Sequence, residues 1–217
     1  MVSYETGSLE TNPQLVEGFG KRYKADFSGA PYYETNHTVQ GVIASVWEPH
    51  VRKGLAILAV DGAEVIGLGC ALPLNQTQST EGYEDVRQFA DERIADGALG
   101  INVDTTWYMS EMSVDENRRG EGTGSGLVEA RFIGIIERGG DTFLMRTAMQ
   151  DSKSKRMYKD VFGAEEVPTP QYVGDSEEVK ASGSLSDWRT YLFGNCAIAL
   201  TNLERARHQS RPPFKLR

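Results

Sequence analysis

The sequence predicts a single α/β domain in which helices pack on a central β-sheet. Two observations favour this class: segments with helical apolar spacing precede a two-strand hairpin, and a later strand runs through a glycine-rich turn into an apolar-faced helix. The length of 217 residues fits one elaborated domain better than two. No repeat at a fixed period is present, which excludes solenoids and arrays. We expect the domain to span residues 1–203, followed by a basic, mobile tail over residues 204–217.

Composition excludes several classes of function. The 31 acidic and 23 basic residues give a net charge of -8, which argues against a general binder of nucleic acid or of anionic membranes. The most apolar stretch, residues 65–74, is far shorter than the ~20 residues of a transmembrane helix, and the acidic N-terminal region does not resemble a secretory signal. Cys70 and Cys196 lack metal-ligand spacing, so we expect no metal site and a reducing, cytoplasmic location.

Spacing and turn signals predict the individual helices and strands. In the second helix Asn36 is a candidate cap and Pro49 a stop, and Asp61-Gly62 joins two β-favouring runs into a hairpin. Residues 75–106 break the apolar pattern and form an acidic insertion with one helix. In order, we predict helices over 11–27 and 36–48, strands over 55–60, 65–72 and 107–114, a helix that includes 127–136, a strand over 142–148, a helix over 151–161 and a strand over 190–194.

The sharpest signal is the glycine-rich turn between the strand at 107–114 and the following helix. Four glycines alternate with other residues over positions 120–126. Glycine permits positive φ and close approach of a ligand, and the free amides at a helix N-terminus favour a phosphate group. Two other phosphate motifs do not fit. No lysine follows the turn as in a Walker A loop, and the dinucleotide fingerprint needs glycine at position 125, 127 or 129, where this chain has Ser125, Leu127 and Glu129.

This turn resembles motif A of the GNAT superfamily of acyl-CoA N-acyltransferases. Arg119, Gly122 and Gly124 match the R/Q-x-x-G-x-G/A core, and Val114 matches the valine at the end of the preceding strand. The family often has a proline where this chain has Glu116, a departure that changes the entry to the loop. A glycine-rich β-to-α turn without a ligand is the alternative interpretation.

A second segment, residues 151–164, is similar to the motif B helix of the same family. Tyr158 aligns with the family tyrosine, whereas Asp151 and Ser154 stand where asparagine and alanine are frequent. Phe162-Gly163 inserts one residue before the expected glycine. Together the two motifs cover about forty residues, while the order of elements matches over residues 10–195.

The resemblance implies an N-acetyltransferase with acetyl-CoA as acyl donor and a mixed, mostly antiparallel central sheet. It implies direct attack by a primary amine of a small molecule or peptide within a ternary complex. The backbone of Met112 and Val114 would pair with the pantetheine arm, and an amide there would polarise the thioester carbonyl. The remaining donor-binding candidates, around the pyrophosphate, are Arg119, Gly120, Gly122, Thr123, Gly124 and Ser125.

Tyr158 and Glu111 are the candidate catalytic residues. By alignment, Tyr158 would donate a proton to the CoA thiolate, although an aromatic residue on a helix is also a common core residue. Glu111 lies near the expected acyl position and is a candidate base. Strand alternation places it opposite Tyr108 and Ser110 unless a β-bulge, common in this family, shifts the register. A structural carboxylate and deprotonation through water remain alternatives for Glu111.

The acidic insertion suggests the class of acceptor. Its seven acids against two bases over residues 81–104 favour a cationic amine, or else they form a solvated charged helix. The final strand and the tail are candidate surfaces for a homodimer. A CoA-binding module without turnover, or a nucleotide-phosphate protein unrelated to CoA, are alternative functions. Structural or solvated roles are expected for His37, His50 and His208, and core or cleft-wall roles for Trp47 and Trp107.

Overall fold

The computed structural model describes residues 1–28, 38–148, 153–168, 170–172 and 188–209. Within these ranges the strands form a nine-stranded sheet. The strands are β1 (Val2–Thr6), β2 (Leu55–Asp61), β3 (Glu64–Pro73), β4 (Thr106–Met109), β5 (Met112–Val114), β6 (Thr142–Ala148), β7 (Glu165–Glu166), β8 (Gln171–Tyr172) and β9 (Trp188–Asn195).

Helices cover both faces of the sheet. Two of the helices contain a wider π-helical turn, and for these two the bounds of each α and π segment are given. The helices are α1 (Pro13–Phe27), α2 (Val39–Val42, the π turn Ile43–Trp47 and Glu48–Lys53), α3 (Leu74–Thr77), α4 (Glu84–Ala95), α5 (Thr123–Glu137), α6 (Lys153–Arg156 and the π turn Met157–Val161) and α7 (Cys196–Gln209). In the described residues no helix is both long and apolar enough to span a bilayer.

The sheet is mixed and mostly antiparallel, as the sequence predicts. The strand order is β1-β2-β3-β4-β6-β9-β7. In addition, β5 pairs with β3 and β8 pairs with β9. The central pair, β4 and β6, is parallel, and the other described pairs are antiparallel. The predicted hairpin is confirmed as β2 and β3, joined at Gly62 with φ of +64°. The predicted final strand is confirmed and extends one or two residues further at each end.

The first face of the sheet is covered by α1 and α2. The Asn12 side chain caps α1 by accepting from the Gln14 amide at 2.9 Å, which satisfies a donor that the helix itself leaves open. Phe19, Tyr23 and Phe27 recur every fourth residue and are buried on one side of α1. They pack with α2 residues and with the alternate side chains of β2 that face this layer. The predicted first helix is therefore confirmed.

The prediction that Pro49 ends the second helix is wrong. The predicted cap Asn36 lies outside the described residues, Thr38 caps the helix instead, and the helix continues to Lys53. The π turn directly before Pro49 includes a bond from the Glu48 amide to the Ile43 carbonyl, five residues back. The wider turn accommodates a residue that has no amide to donate.

The second face is covered by α5 and α7. Leu127, Val128, Phe132 and Ile135 form the buried stripe of α5 and belong to the core with the opposite side chains of β2. The tail predicted from residue 204 begins inside α7, which extends to Gln209. Arg207 donates both terminal nitrogens to Glu129 of α5, at 2.7 and 2.8 Å. The boundary at residue 203 is therefore wrong, and residues 210–217 lie outside the described part of the chain.

The acidic insertion contains two helices, α3 and α4, rather than the one predicted. The short α3 follows directly from Pro73 of β3, and α4 packs over the far half of the first face. Phe89 of α4 stacks on Tyr191 of β9 with ring centres 3.9 Å apart. Asp85 accepts a hydrogen bond from Arg146 of β6 at 2.6 Å. The insertion is thus part of the core.

We expect Phe132→Ala to lower the free energy of unfolding by about 3–5 kcal/mol, the usual cost of removing a buried aromatic side chain. Phe132 is fully buried and contacts the rings of Phe143 and Phe162. Urea denaturation measures the change. The control is Ile133→Ala on the same helix, where the side chain is 44% exposed and the expected change is below about 1 kcal/mol. Equal losses in both variants would contradict the packing described here.

Candidate functional site

The strand predicted over residues 107–114 is interrupted by a β-bulge. Ser110 and Glu111 both lie opposite Cys70, because the Ser110 amide donates to the Cys70 carbonyl at 3.1 Å and the Cys70 amide donates to the Glu111 carbonyl at 2.8 Å. The register between β3 and its partner shifts by one residue across this point. Two residues opposite one form a bulge, which bends the strand. The predicted single strand is therefore two strands, β4 and β5.

Beyond the bulge, β5 and β6 separate. The parallel pairing of β4 with β6 stops at Met109, whereas β5 pairs with β3. Ladder hydrogen bonds alternate along an antiparallel pair, and Glu111 and Asp115 both bond to β3. The amides and carbonyls of Met112 and Val114 are consequently directed away from β3. They lie along the wedge between β5 and β6.

A tight turn leads from β5 into α5. Gly120 and Gly122 both have φ of +87°, a backbone conformation that residues other than glycine rarely adopt. The first helical hydrogen bond of α5 runs from the Gly126 amide to the Gly122 carbonyl at 3.0 Å. The amides just before it therefore lie at the positive end of a 15-residue helix. These amides belong to Thr123, Gly124 and Ser125, three of the predicted phosphate-binding residues.

Ion pairs attach this turn to the rest of the domain. Arg22 of α1 pairs with Asp115 at the end of β5, and Arg118 pairs with Asp61 of β2 at 2.8 Å and with Glu121 at 2.9 Å. The hydrogen bond from Arg118 lowers the pKa of Asp61. The turn is thus fixed to both α1 and the hairpin, so its amides have a defined orientation toward the wedge.

Arg119, the arginine of the predicted motif, is exposed and lies along β5. Its Nε donates to the Val114 carbonyl at 3.1 Å. Ser125 bonds back to the turn, with Oγ donating to the Gly122 carbonyl at 2.8 Å. The structure therefore brings the predicted donor-binding residues together at one end of the wedge, around the start of α5.

Tyr158 lies on the second face of the sheet, in the π turn of α6. The Phe162 amide bonds to the Met157 carbonyl, five residues back, so this turn contains one residue more than an α-helical turn. That extra residue accounts for the insertion before Gly163 noted in the sequence. The Tyr158 side chain is 2% exposed, and burial raises the pKa of its phenol.

Arg131 joins Tyr158 to the bulge. Its Nη1 donates to the carbonyls of Cys70 and Glu111, both at 3.2 Å. Its Nη2 donates to the Tyr158 phenol oxygen at 2.8 Å and to the sulfur of Met112 at 2.9 Å. The side chain is 1% exposed. Sequence reasoning missed this residue, although an arginine within the apolar stripe of α5 was a visible signal.

Glu111 lies on the first face, where the bulge directs its side chain. Tyr83, the residue before α4, donates its phenol proton to Glu111 Oε1 at 2.8 Å. The ring of Tyr83 also contacts that of Tyr108. The register shift that the sequence left open therefore puts Glu111 on the same face as Tyr108. The carboxyl of Glu111 and the phenol of Tyr158 lie on opposite faces of the sheet.

His50 and Ser110 form a second polar pair beside the bulge. His50 Nε2 lies 2.7 Å from Ser110 Oγ, and Nδ1 lies 2.6 Å from the Val46 carbonyl. A carbonyl can only accept, so Nδ1 carries the proton and Nε2 accepts from the serine hydroxyl. Burial lowers the pKa of His50 to about 4. The expected structural role of His50 fits these contacts, and the solvated alternative does not.

The other aromatic and histidine candidates take simple positions. Trp47 and Trp107 are core residues, as expected. His208 is exposed at the end of α7. His37 lies outside the described residues.

No protein-family model and no curated protein sequence matches the chain, but solved structures match its fold. One is an N-acetyltransferase from Staphylococcus aureus Mu50, with TM-score 0.63, 10% identity and coverage of 90% of this chain and 99% of that chain. A second, from Desulfovibrio desulfuricans, is described as a candidate acetyltransferase of the GNAT family, with TM-score 0.55, 13% identity and coverage of 90% and 99%.

A third solved structure is the NatC complex bound to Gag peptide and CoA, with TM-score 0.56, 12% identity and coverage of 89% of this chain and 98% of that chain. At such low identity these likenesses show the fold. The fold expected from the motif A resemblance is thereby confirmed over nine-tenths of the chain.

We predict that His50 makes the protein less stable on acidification. The pKa of folded His50 is about 4, whereas an unfolded imidazole titrates near ~6.5. Between these values the unfolded state binds more protons, so stability is lost as the pH falls from ~6.5 toward 4. Through His50, the free energy of unfolding should be about 2 kcal/mol lower at pH 5 than at pH 7. Urea denaturation at both pH values measures this difference.

The control for this prediction is a pair of glutamine variants. His50→Gln should lose this part of the pH dependence, while His208→Gln should keep it because His208 is exposed. An unchanged pH dependence in His50→Gln would contradict the assignment.

Proposed function

We propose that the protein is an N-acetyltransferase that moves an acetyl group from acetyl-CoA to a primary amine. The observation that carries this proposal is the junction of the β5–β6 wedge with the start of α5. There the outward backbone groups of β5 and the amides at the α5 N-terminus lie side by side. An extended amide chain that ends in a pyrophosphate has the chemistry to bind both features.

The residues present fit acetyl-CoA. The amides of Thr123, Gly124 and Ser125 would bind the pyrophosphate, and the positive φ at Gly120 and Gly122 gives the backbone a turn in which glycine allows a ligand to approach closely. Met112 and Val114 would pair with the pantetheine amides as an added strand does. Arg119 would leave the Val114 carbonyl and bind phosphate. The solved NatC structure, which has the same fold, is described as bound to CoA, which supports CoA as the donor group.

The two candidate catalytic groups suit the two sides of the reaction. Tyr158, on the second face, would donate a proton to the departing thiolate. Glu111, on the first face, would accept the proton of the attacking amine, directly or through water. Their separation by the sheet allows the amine to approach from one side while the thiol leaves on the other.

The acceptor we propose is a cationic amine of a small molecule or peptide. Tyr83 contacts Glu111, so the acidic insertion reaches the bulge. Glu84 and Asp85 follow immediately in the first turn of α4, whereas Asp91 and Glu92 lie about two turns away along the same helix. Asp85 is paired with Arg146, so the negative charge nearest the bulge is that of Glu111 and Glu84. This charge would attract a second positive charge on the acceptor.

The proposal predicts that acetyl-CoA raises the melting temperature and that ATP and NAD do not. A ligand at a hundred times its Kd adds about 2.7 kcal/mol to stability. Release of free thiol with a panel of amines then tests transfer, and Tyr158→Phe should lower kcat about a hundredfold or more while acetyl-CoA still stabilises the protein. Absence of any shift at millimolar acetyl-CoA would contradict the proposal. Binding without thiol release would indicate a CoA-binding module.

The charge of the acceptor is tested by two matched glutamine variants on α4. With diamine acceptors, Glu84→Gln should raise KM about two- to fivefold, the effect of a screened charge pair worth about 0.5–1 kcal/mol. Glu92→Gln makes the same charge change two turns away and should leave KM unchanged. In both variants the glutamine keeps an oxygen that can accept the hydrogen bond now accepted by the carboxylate, from the Gly82 amide at Glu84 and from Gln88 at Glu92. Equal KM in both, or equal effects on diamines and monoamines, would contradict a cationic acceptor.

A further inference from the structure

We infer that Arg131 is the positioning residue of the reaction, holding the Tyr158 phenol at the bulge and stabilising the phenolate that remains after proton transfer. This inference rests on the proposed function and adds a residue that neither motif contains. It starts from an anomaly, since a guanidinium is buried in the middle of a hydrophobic core.

Among the described residues, no carboxylate forms an ion pair or a hydrogen bond with the Arg131 guanidinium. In the part of the chain that the structure describes, its hydrogen-bond partners are two backbone carbonyls, a thioether sulfur and a phenol oxygen. Its Nε is buried and has no hydrogen-bond partner among these described residues. Burying a charge without a counter-ion is costly, so a purely structural role would be served better by an apolar residue.

The surroundings of Arg131 are shaped to receive it. Gly69 of β3 lies directly beneath the guanidinium, and a Cβ at this position would come within 3.0 Å of Arg131 Nε and 3.2 Å of Cδ. Gly67, two residues earlier on β3, faces the same side of the sheet as Gly69 but lies beneath Leu127 and not beneath Arg131. The guanidinium therefore occupies a space that the strand leaves open at this point.

One contact of Arg131, the Tyr158 phenol oxygen, is an atom on which negative charge would develop. One nitrogen is bonded to the carbonyl of the bulge residue Glu111, and the other to the phenol of Tyr158. Because Arg131 donates to the phenol oxygen, the phenol proton is left for another acceptor. Burial raises the pKa of Tyr158, and the positive charge of Arg131 opposes that rise.

The step can be written with its atoms balanced. The amine nitrogen bonds to the thioester carbonyl carbon, and the carbon–sulfur bond breaks with its electron pair going to sulfur. The sulfur takes the Tyr158 proton, which yields free thiol and a phenolate beside Arg131. The new amide loses the extra proton of the former amine to water or Glu111, and the phenolate regains a proton from water.

The test compares Arg131→Met, which removes the charge, with Arg131→Lys, which keeps it. The first readout needs no substrate: the ultraviolet titration of Tyr158, obtained by subtracting the curve of Tyr158→Phe in each background. In Arg131→Met the pKa of Tyr158 should rise above that of the parent, and Arg131→Lys should restore part of the difference. Coincident curves for the parent and Arg131→Met would overturn the inference.

The second readout is the rate. Arg131→Met should lower kcat about tenfold or more, with the acetyl-CoA KM nearly unchanged, and should move the alkaline limb of the kcat profile to higher pH because the acid is weaker. The double variant Arg131→Met/Tyr158→Phe should lose no more activity than Tyr158→Phe alone, since both residues act through one group. Multiplicative losses would show that Arg131 acts independently of Tyr158, which also overturns the inference.

Two glycine variants keep the test decisive if Arg131→Met does not fold. Gly69→Ala pushes on the guanidinium, whereas Gly67→Ala adds the same methyl two residues away, against Leu127 and the Ser113 carbonyl. Only Gly69→Ala should shift the Tyr158 titration. If the parent releases no thiol yet the titration responds to Arg131, the proposed function fails while the coupling stands. If the parent is active and the titration does not respond, the coupling alone fails.

Discussion

The β-bulge at Ser110 and Glu111 is the constraint on which the rest of the candidate site depends. One extra residue opposite Cys70 bends the strand away from β6. The bend opens the wedge and directs the backbone of β5 toward it. Without the bulge, β5 would continue beside β6, and its outward amides and carbonyls would be used in the sheet.

The bulge also divides polar groups between the two faces of the sheet. On the first face, His50 bonds to Ser110 and Tyr83 bonds to Glu111, so the helix α2 and the acidic insertion each hold one bulge residue. On the second face, Arg131 bonds to the bulge carbonyls and to Tyr158. The distortion of one strand is thus supported by side chains from three different parts of the chain.

Several departures from sequence rules occur near this site, and each has a local cause. Both π turns lie in helices that present a polar side chain to it, His50 in one and Tyr158 in the other. A buried arginine replaces an apolar residue on α5, and a glycine of β3 makes room for it. Such local conflicts with propensity and burial are typical of functional sites, where the arrangement of groups is favoured over stability.

The class of fold, the hairpin and the glycine-rich turn could be predicted from the sequence, because they follow from local spacing and from glycine conformations that few other residues adopt. The motif resemblance also identified Tyr158 as a candidate acid and located the donor-binding candidates, and these roles remain predictions. The face on which Glu111 lies could not be predicted, since a one-residue bulge reverses strand alternation and depends on the pairing with β3. Likewise, the roles of Arg131, Tyr83 and His50 depend on contacts between segments far apart in the chain, which no local pattern encodes.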